Sequence, residues 1–164
     1  MIEFALMPFL IIFVHHLNAM KKEYPEKMTF TEVWPHFAEG GLLHLATMDG
    51  DQPRVRMLAF TPHKEKVWVV TRTGDDKIPQ IRSNSKVEFT LGVQGKERTR
   101  CLRVTAEALI VEDPSTRDEV ASAIPWFTGY WKSSEDPNFT LIRLDMKKIL
   151  FDHHETSSKY TINL

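Results

Sequence analysis

The sequence predicts a domain of the α+β class, built mainly from antiparallel strands that form a small β-barrel with short flanking helices. Two observations predict this class. Five or six segments alternate apolar and polar residues with the period of two that a half-buried strand requires. Most of these segments are joined by turns too short for a parallel crossover, so neighbouring strands must run antiparallel. The length of 164 residues suits one domain with its own apolar core.

Residues 1–27 are predicted to be an extension that precedes a domain over residues 28–164. Residues 4–17 are almost wholly apolar, but a helix needs about 20 such residues to cross a bilayer. Glu3 stands where a secretory signal carries positive charge. A helix docked on the domain, or a start codon assigned too early, is favoured over a membrane anchor.

The first elements of the domain follow from local signals. Thr29 and Glu32 have the spacing of a capping box, which predicts a short helix that ends at Gly40. Asp49 followed by Gly50 is a strong hairpin signal. The first three strands are predicted over residues 43–48, 54–60 and 67–71, with a turn at residues 61–63 between the second and the third.

Two further helices and the remaining strands are predicted in the second half. Asp76 is the expected N-cap of a short helix that Asn84 ends. Asp113 with Pro114 at the first helical position predicts a helix that runs to Ile124. The strands are predicted over residues 87–93, 100–111 and 139–144, with a further short strand over residues 148–152.

Composition excludes several classes of function. The chain carries 21 Lys and Arg against 22 Asp and Glu, so the basic footprint of a general nucleic-acid binder is absent. The single cysteine, Cys101, excludes an internal disulfide and a CxxC metal or redox motif, and it fits a cytoplasmic location. His153 and His154 are adjacent, so on a strand they point to opposite faces and make poor partners for one metal ion. No metal site is predicted.

One group of residues predicts a phosphate site. Arg54 and Arg56 fall on the same face of the second strand, about 7 Å apart. Thr71 ends the third strand, and Lys77 opens the helix that follows it. Guanidinium, ammonium, hydroxyl and helix-start amide groups are those that bind phosphate. The alternative is a solvated barrel face with ordinary ion pairs, whose acidic partners would be Asp75, Asp76 or Glu88.

Four segments in order, GLLHLATMDGDQPRVRMLAF, VWVVTRTGDDK, NSKVEFTL and LRVTAEALIVEDP, carry a resemblance to a known family. Together with residues 125–152 they are similar to the pyridoxamine 5′-phosphate oxidase-like family of split-barrel proteins, in particular its general stress protein branch. The similarity covers residues 37–152. It implies a six-stranded split β-barrel that binds FMN at the interface of a homodimer.

The resemblance also implies roles for single residues. It places Arg56 and Lys77 on the FMN phosphate, and Arg54 from the strand pattern completes the basic part of the site. The residues that it places beside the flavin ring or next to the phosphate are Met57, Leu58, Ala59, Val70 and Thr71. The oxidase itself has an Arg-Lys pair where this chain has Asp76-Lys77, and its carboxyl-terminal segment that grips pyridoxal phosphate has no counterpart here.

The function expected from these features is that of a flavin-dependent oxidoreductase, with a small-molecule electron donor or acceptor and no membrane or nucleic-acid partner. No catalytic side chain is assigned, since a flavin carries hydride or electrons itself. The aromatic cluster of residues 126–131 either shapes a substrate pocket or packs against the barrel or a second protomer, and packing is favoured. Two other functions stay open: a haem- or deazaflavin-binding protein on the same barrel, and a non-catalytic flavin-binding stress protein.

Overall fold

The structure is a computed structural model that describes residues 26–95, 99–153 and 158–164. The strands are β1 (Gly41–Asp49), β2 (Gln52–His63), β3 (Lys66–Arg72), β4 (Lys86–Gln94), β5 (Thr99–Val111), β6 (Phe139–Asp152) and β7 (Lys159–Asn163). The helices are α1 (Phe30–Val33), α2 (Pro35–Ala38), α3 (Lys77–Ser83) and α4 (Pro114–Ser122), and one 3₁₀ turn covers Phe127–Gly129. The apolar segment of residues 4–17 lies outside the described residues.

Six strands close into an antiparallel barrel. They follow the order β3-β2-β1-β4-β5-β6, and pairing of β3 with β6 closes the ring. The predicted six-stranded split barrel with short flanking helices is therefore confirmed. β7 pairs with the far half of β6 and adds a seventh strand that the sequence pattern did not predict. No helix within the described residues is long and apolar enough to cross a bilayer.

The barrel interior is filled by one side of each strand, because side chains alternate between the two faces. Leu43 and Leu45 of β1, Phe89 of β4 and Ile149 of β6 are fully buried there. A second cluster lies outside the barrel, where Trp68, Val70, Val120, Phe127, Trp131 and Phe139 pack together. Because β3 carries side chains in both clusters, it is buried on both faces, which explains its unbroken apolar sequence.

The hairpin between β2 and β3 corrects one prediction. β2 extends to His63, so the turn predicted at residues 61–63 is wrong. The turn is formed by Lys64 and Glu65, whose φ angles of 50° and 53° match a two-residue hairpin with the twist of the flanking strands. Pro62 is tolerated inside β2 because β1 begins at Gly41, opposite Phe60, and β2 has a strand neighbour on only one side beyond that point.

β6 is one continuous strand, where the sequence predicted a break between residues 144 and 148. The break is a β-bulge instead: Ala106 of β5 faces Met146, its neighbour Thr105 faces Lys148, and Lys147 is the extra residue. Lys147 and its neighbour Lys148 are exposed at this bulge. It lets β6 pair with β3 along its first half and with β7 along its second.

Helix ends test the capping predictions. The Asp113 carboxylate accepts a hydrogen bond from the Thr116 backbone N–H at 2.8 Å, which confirms it as the N-cap of α4, and this helix ends at Ser122 rather than Ile124. Glu32 accepts from the Thr29 backbone N–H at 2.7 Å, as the capping-box spacing predicts. The short helix there is two single turns, Phe30–Val33 and Pro35–Ala38.

Candidate functional site

The barrel opens between β2 and β3, and this opening creates the candidate site. The two strands pair from Phe60 opposite Val69 to the hairpin turn. Away from the hairpin turn, the two strands separate. Among the strands described, residues 52–59 of β2 then pair only with β1, and residues 70–72 of β3 pair only with β6. The backbone N–H and C=O groups along this edge of β2 are left free of a neighbouring strand.

A cleft of about 490 Å³ lies at this opening. Four structural segments form its wall: the end of β1, the open part of β2, the loop after β3 and the first turn of α3. Its lining residues are Asp49, Arg54, Arg56, Leu58, Asp75, Asp76, Lys77 and Gln80.

β2 presents two different faces at the cleft. Arg54, Arg56 and Leu58 line it, and they lie on the same face of the strand as the buried Phe60. The prediction that Arg54 and Arg56 share a face is confirmed. Met57 and Ala59 have the opposite parity, so their side chains point to the outer surface of the barrel and only their backbone borders the opening.

Arg56 is held in place by two buried polar side chains. Its guanidinium donates to Thr47 Oγ1 of β1 at 2.7 Å and to Gln80 Oε1 of α3 at 2.9 Å. Thr47 Oγ1 donates in turn to Gln80 Oε1 at 2.6 Å, and both residues are buried. Burial lowers the pKa of Arg56, but a guanidinium stays charged at any physiological pH. Strand and helix therefore orient one fixed positive charge at the cleft.

Lys77 is the second basic group, and only 7% of its side chain is exposed. Its Nζ donates to Thr71 Oγ1 at 2.8 Å and to Asp75 Oδ2 at 2.6 Å. The Thr71 hydroxyl also donates to Asp75 Oδ2. A buried ammonium group is costly unless it is paired, and these contacts pair it. Lys77 and Thr71, which the sequence predicted as one phosphate site, are thus in direct contact at the mouth of the opening.

Acidic groups at the site balance the basic ones. Burial raises the pKa of Asp75, but the hydrogen bonds from Lys77 and Thr71 together outweigh burial and leave the pKa below its ordinary value. Asp76 also lines the cleft. It stands at the predicted N-cap position of α3, but its side chain makes no capping hydrogen bond. The helical turn starts one residue earlier, where Ile78 N–H bonds to the Asp75 carbonyl at 2.9 Å. Arg54 is 53% exposed and pairs with Asp49 at 3.1 Å.

The Val70 side chain does not line the cleft. It belongs to the cluster outside the barrel, and only the Val70 backbone borders the opening. Sequence reasoning missed Thr47 and Gln80, which position Arg56. Two signals could have found them: Thr47 faces Arg54 in the β1–β2 hairpin register, and Gln80 follows Lys77 by one helical turn.

The outer face of β1 and β2 carries an exposed apolar patch. Leu42, Val55 and Met57 are 58%, 67% and 59% exposed, and they lie on adjacent strands. His44 faces Met57 across the hairpin and is also exposed on this surface. Exposed apolar patches of this kind mark interaction surfaces. The patch borders the opening because Met57 stands between Arg56 and Leu58.

Two further sequence features lie away from the cleft. Phe127 and Trp131 of the aromatic cluster are buried against β3, while Trp126 and Tyr130 remain exposed at its outer side. His153 is buried and 5.2 Å from the Phe151 ring, and His154 lies outside the described residues. Within the described ranges, no group of three or more His, Cys, Asp or Glu side chains is arranged to hold a metal ion.

Several solved structures share this architecture. A NimC/NimA family protein from Clostridium acetobutylicum superposes with a TM-score of 0.66 and 21% identity over 82% of this chain and 89% of that one. General Stress Protein 26 from Bacillus anthracis gives 0.60 and 21%, over 76% and 90%. A FAD-binding protein from Mesorhizobium loti gives 0.61 and 18%, over 74% and 90%. At these identities the similarity shows the fold.

Sequence comparison shows the family. No curated protein matches this chain significantly. Residues 35–152, which run from α2 through the cleft and the second cluster to the end of β6, match the family described as pyridoxamine 5′-phosphate oxidase. That match spans more than half of the chain and includes every residue that lines the cleft. The chain therefore belongs to the pyridoxamine 5′-phosphate oxidase family.

Proposed function

We propose that this protein binds FMN as a homodimer, with the flavin phosphate in the cleft between β2 and β3, and acts as a flavin-dependent oxidoreductase. The observation that carries the proposal is the buried Lys77 ammonium in contact with the Thr71 hydroxyl, beside the preoriented guanidinium of Arg56. Family membership and a FAD-binding structural neighbour support a flavin as the ligand.

The donor set at the cleft fits a phosphate monoester. Arg56 supplies a planar guanidinium, Lys77 a compact positive charge and Thr71 a hydroxyl. Ligand sites typically have volumes of roughly 300–1,000 Å³, and the cleft of about 490 Å³ lies in that range. The fixed Thr47 and Gln80 partners hold Arg56 in one orientation before a ligand arrives, which lowers the entropy lost on binding.

The open edge of β2 fits the ring of the cofactor. Its free backbone N–H and C=O groups between Arg56 and Ala59 are suited to the polar edge of an isoalloxazine system, while Leu58 offers an apolar contact. In this proposal the residues of β2 bind both ends of the cofactor: the Arg56 side chain holds the phosphate and the backbone of residues 57–59 orients the ring.

A second copy of the chain is proposed to cover the outer face of β1 and β2. Leu42, Val55 and Met57 form an apolar surface there that is exposed to water, and a symmetric pair would bury it on both copies. Since the patch borders the cleft, the partner copy would close one side of the site and exclude water from it. This arrangement places the flavin at the dimer interface.

In the proposed reaction, the flavin and the protein chain have different roles. When bound, a flavin supplies hydride or single-electron transfer to a small molecule. The chain binds the phosphate through Arg56, Lys77 and Thr71, orients the ring along β2 and shields it through the partner copy. The Asp76-Lys77 pair and the missing pyridoxal-phosphate segment favour a substrate other than a vitamin B6 phosphate.

One adjoining feature supports FAD as a second candidate. A smaller cleft of about 280 Å³ shares Asp49, Asp76 and Gln80 with the first and continues it. Its further lining residues are Met48, Gly50, Pro79 and Ser83. A group attached to the phosphate, such as the adenosine half of FAD, would extend into this space.

The decisive experiment is the absorption spectrum of the purified protein, followed by chromatography of the released cofactor. We expect a yellow protein that releases FMN and, after removal of the cofactor, rebinds FMN more tightly than riboflavin. Released FAD would support the second candidate. A haem band, a deazaflavin spectrum or a colourless protein that takes up no flavin would refute the proposal. Oxidation of NADH or NADPH by the FMN-loaded protein would separate an enzyme from a flavin-storage protein.

A further inference from the structure

Asp75 occupies the place that an anion would take at the candidate site. Its Oδ2 accepts hydrogen bonds from Lys77 Nζ at 2.6 Å and from the Thr71 hydroxyl. These are two of the three donor groups that the proposed function gives to the phosphate. Asp75 is 37% exposed, whereas Lys77 is 7% exposed, so the carboxylate lies between the buried ammonium and solvent.

The carboxylate and a phosphate oxygen cannot both accept the hydrogen of the Thr71 hydroxyl. The Thr71 hydroxyl has one hydrogen, and here it is directed at Asp75. An anion that bonded to both Thr71 and Lys77 would also lie close to Asp75 Oδ2, with repulsion between like charges in a partly buried site. Binding of an anion to this pair therefore requires the Asp75 side chain to move away.

The loop allows that movement without a change in its backbone. The Asp75 backbone N–H bonds to the Arg72 carbonyl at 3.1 Å, and its carbonyl accepts from Ile78 at 2.9 Å. The preceding loop is fixed by the Thr73 N–H, which bonds to the Asn138 carbonyl at 3.0 Å. With the backbone fixed, rotation about the Cα–Cβ bond of Asp75 is enough to turn its exposed carboxylate toward water.

We propose that Asp75 is an internal competitor for the anion: it holds Lys77 and Thr71 in the free cleft and must release them when a phosphate group binds. Its carboxylate thereby lowers the affinity of the site for anions. It selects for ligands whose contacts with Arg56 and Lys77 together supply enough binding free energy to displace it. A monatomic anion such as chloride, which cannot engage Arg56 bidentately as well, would be excluded. The inference rests on the proposed function only for the identity of the anion as a flavin phosphate.

Asp76 provides a matched control. It carries the same charge at the next position and lines the same cleft, and its negative charge acts on Arg56 through space. It accepts no hydrogen bond from Lys77 or Thr71 in the described structure. Asp76→Asn thus removes one negative charge from the site without freeing the donors, whereas Asp75→Asn removes the same charge and replaces the competing carboxylate with a neutral amide oxygen, a weaker acceptor.

The test is a titration of the cofactor-free wild type and both variants with FMN and riboflavin, followed by flavin fluorescence. We expect Asp75→Asn to bind FMN about tenfold or more tightly than the wild type, the scale of a charge-assisted hydrogen bond. Asp76→Asn should change FMN affinity by less than about threefold, the scale of a screened surface charge. Riboflavin, which lacks the phosphate, should bind all three equally. Equal gains in both variants, or no gain in Asp75→Asn, would overturn the proposal.

A second probe, inorganic phosphate, tests the proposed role of Asp75 separately from the proposal that the protein binds a flavin. The thermal stability of the same three proteins is measured with increasing inorganic phosphate, with chloride as the control ion. A phosphate-dependent rise in Tm that is larger in Asp75→Asn supports the competitor even if FMN fails to bind, which would refute the flavin proposal alone. FMN binding with no difference between the variants for either probe would refute the competitor alone. No response to phosphate or FMN in any protein would refute both.

A double variant at Thr71 and Asp75 gives one more test of the proposed competition. In a Thr71→Val background there is no hydroxyl to release, so the gain from Asp75→Asn should shrink by about threefold or more. A full gain in the double variant would overturn the part assigned to Thr71.

Discussion

Arg56 of β2 and Gln80 of α3 are hydrogen-bonded at 2.9 Å across the side of the cleft, and Thr47 of β1 bonds to both. The adjacent strands β1 and β2 and the later helix α3 therefore fix one guanidinium. A charged side chain at a solvent-open cleft would ordinarily sample many rotamers. Here the hydrogen bonds to Thr47 and Gln80 hold the Arg56 side chain in one of them before a ligand binds. The consequence is that the cleft has a rigid side around Arg56 and an adjustable side around Asp75.

The first prediction concerns the three basic residues. Arg56→Ala and Lys77→Ala should each weaken FMN binding by about 1.5–3 kcal/mol, because each removes a charge-assisted hydrogen bond at a partly buried site. Arg54→Ala should cost less than about 1 kcal/mol, since Arg54 is exposed and already paired with Asp49. Fluorescence titration with FMN measures all three. Equal losses at positions 54 and 56 would place the phosphate further out along β2.

The second prediction separates positioning from direct binding. Gln80→Leu removes one acceptor of Arg56 and should weaken FMN binding by roughly tenfold, the effect of a lost preorganising contact, while Arg56 keeps its charge. Binding of riboflavin should be unchanged, because the contact acts only through the guanidinium. The readout is the ratio of FMN to riboflavin affinity. An equal loss for both ligands would mean that Gln80 acts through the fold of α3 instead.

Local pattern was enough to predict most of the fold. Strand alternation and hairpin spacing depend on neighbours in sequence, and they predicted six of the strands and the shared face of Arg54 and Arg56. What they missed depends on non-local pairing. The Lys147 bulge exists only because β6 pairs with three other strands, and the type of turn at Lys64-Glu65 follows from strand twist.

The site was predictable to a smaller extent, for a similar reason. Arg56, Thr71 and Lys77 were found because they have the residue types that bind phosphate. Thr47 and Gln80 have no such signature, and their role depends on how closely α3 approaches the barrel. The sequence predicted both Asp75 and Asp76 as possible ion-pair partners of the basic residues. Only the rotamer of Asp75 distinguishes the residue that contacts Lys77 from the one that does not.

The third prediction tests the proposed dimer. Met57→Asp places a charge in the exposed apolar patch and should convert a dimer into a monomer, because a buried carboxylate without a partner is costly. Leu164→Asp is the control, since Leu164 is 50% exposed but lies at the carboxyl end of the chain. Size-exclusion chromatography with light scattering gives the mass. A monomeric wild type, or a Met57→Asp protein that remains dimeric, would rule out this face as the interface.

The fourth prediction concerns the join between α2 and β1. Gly40 has a φ of 70°, and a Cβ there would lie 3.1 Å from the Phe60 carbonyl oxygen and 3.2 Å from Pro62 Cδ. Gly40→Ala should therefore lower the free energy of unfolding by roughly 1–3 kcal/mol. Gly129→Ala is the matched control, because its Cβ would meet no atom within 4 Å and its φ is not positive. Urea denaturation should show that variant unchanged or more stable by up to about 1 kcal/mol. A neutral Gly40→Ala would contradict the strain argument.

The fifth prediction is a pH dependence of stability that arises from Arg143 and Asp145 on the outer side of β6. The guanidinium donates to the carboxylate at 2.6 and 2.8 Å. These hydrogen bonds lower the pKa of Asp145, against burial, which raises it, and the charges of Lys66 and Lys147 lower it further. A carboxylate with a lowered native pKa stabilises the fold above its unfolded pKa of about 3.9, and that contribution is lost as the pH falls through the lower native value.

Asp145→Asn should thus be less stable than the wild type at pH 7, by at most about 1 kcal/mol because the pair is partly exposed. The difference should shrink as the pH falls from about 5 to 2, since protonation then removes the same charge from the wild type. Arg143→Gln should also reduce the pH dependence, because Asp145 would lose its main hydrogen-bond donor. Urea denaturation at several pH values measures the difference directly. If the gap between wild type and Asp145→Asn stayed constant or widened on acidification, the ion pair would not be the source of the stabilisation.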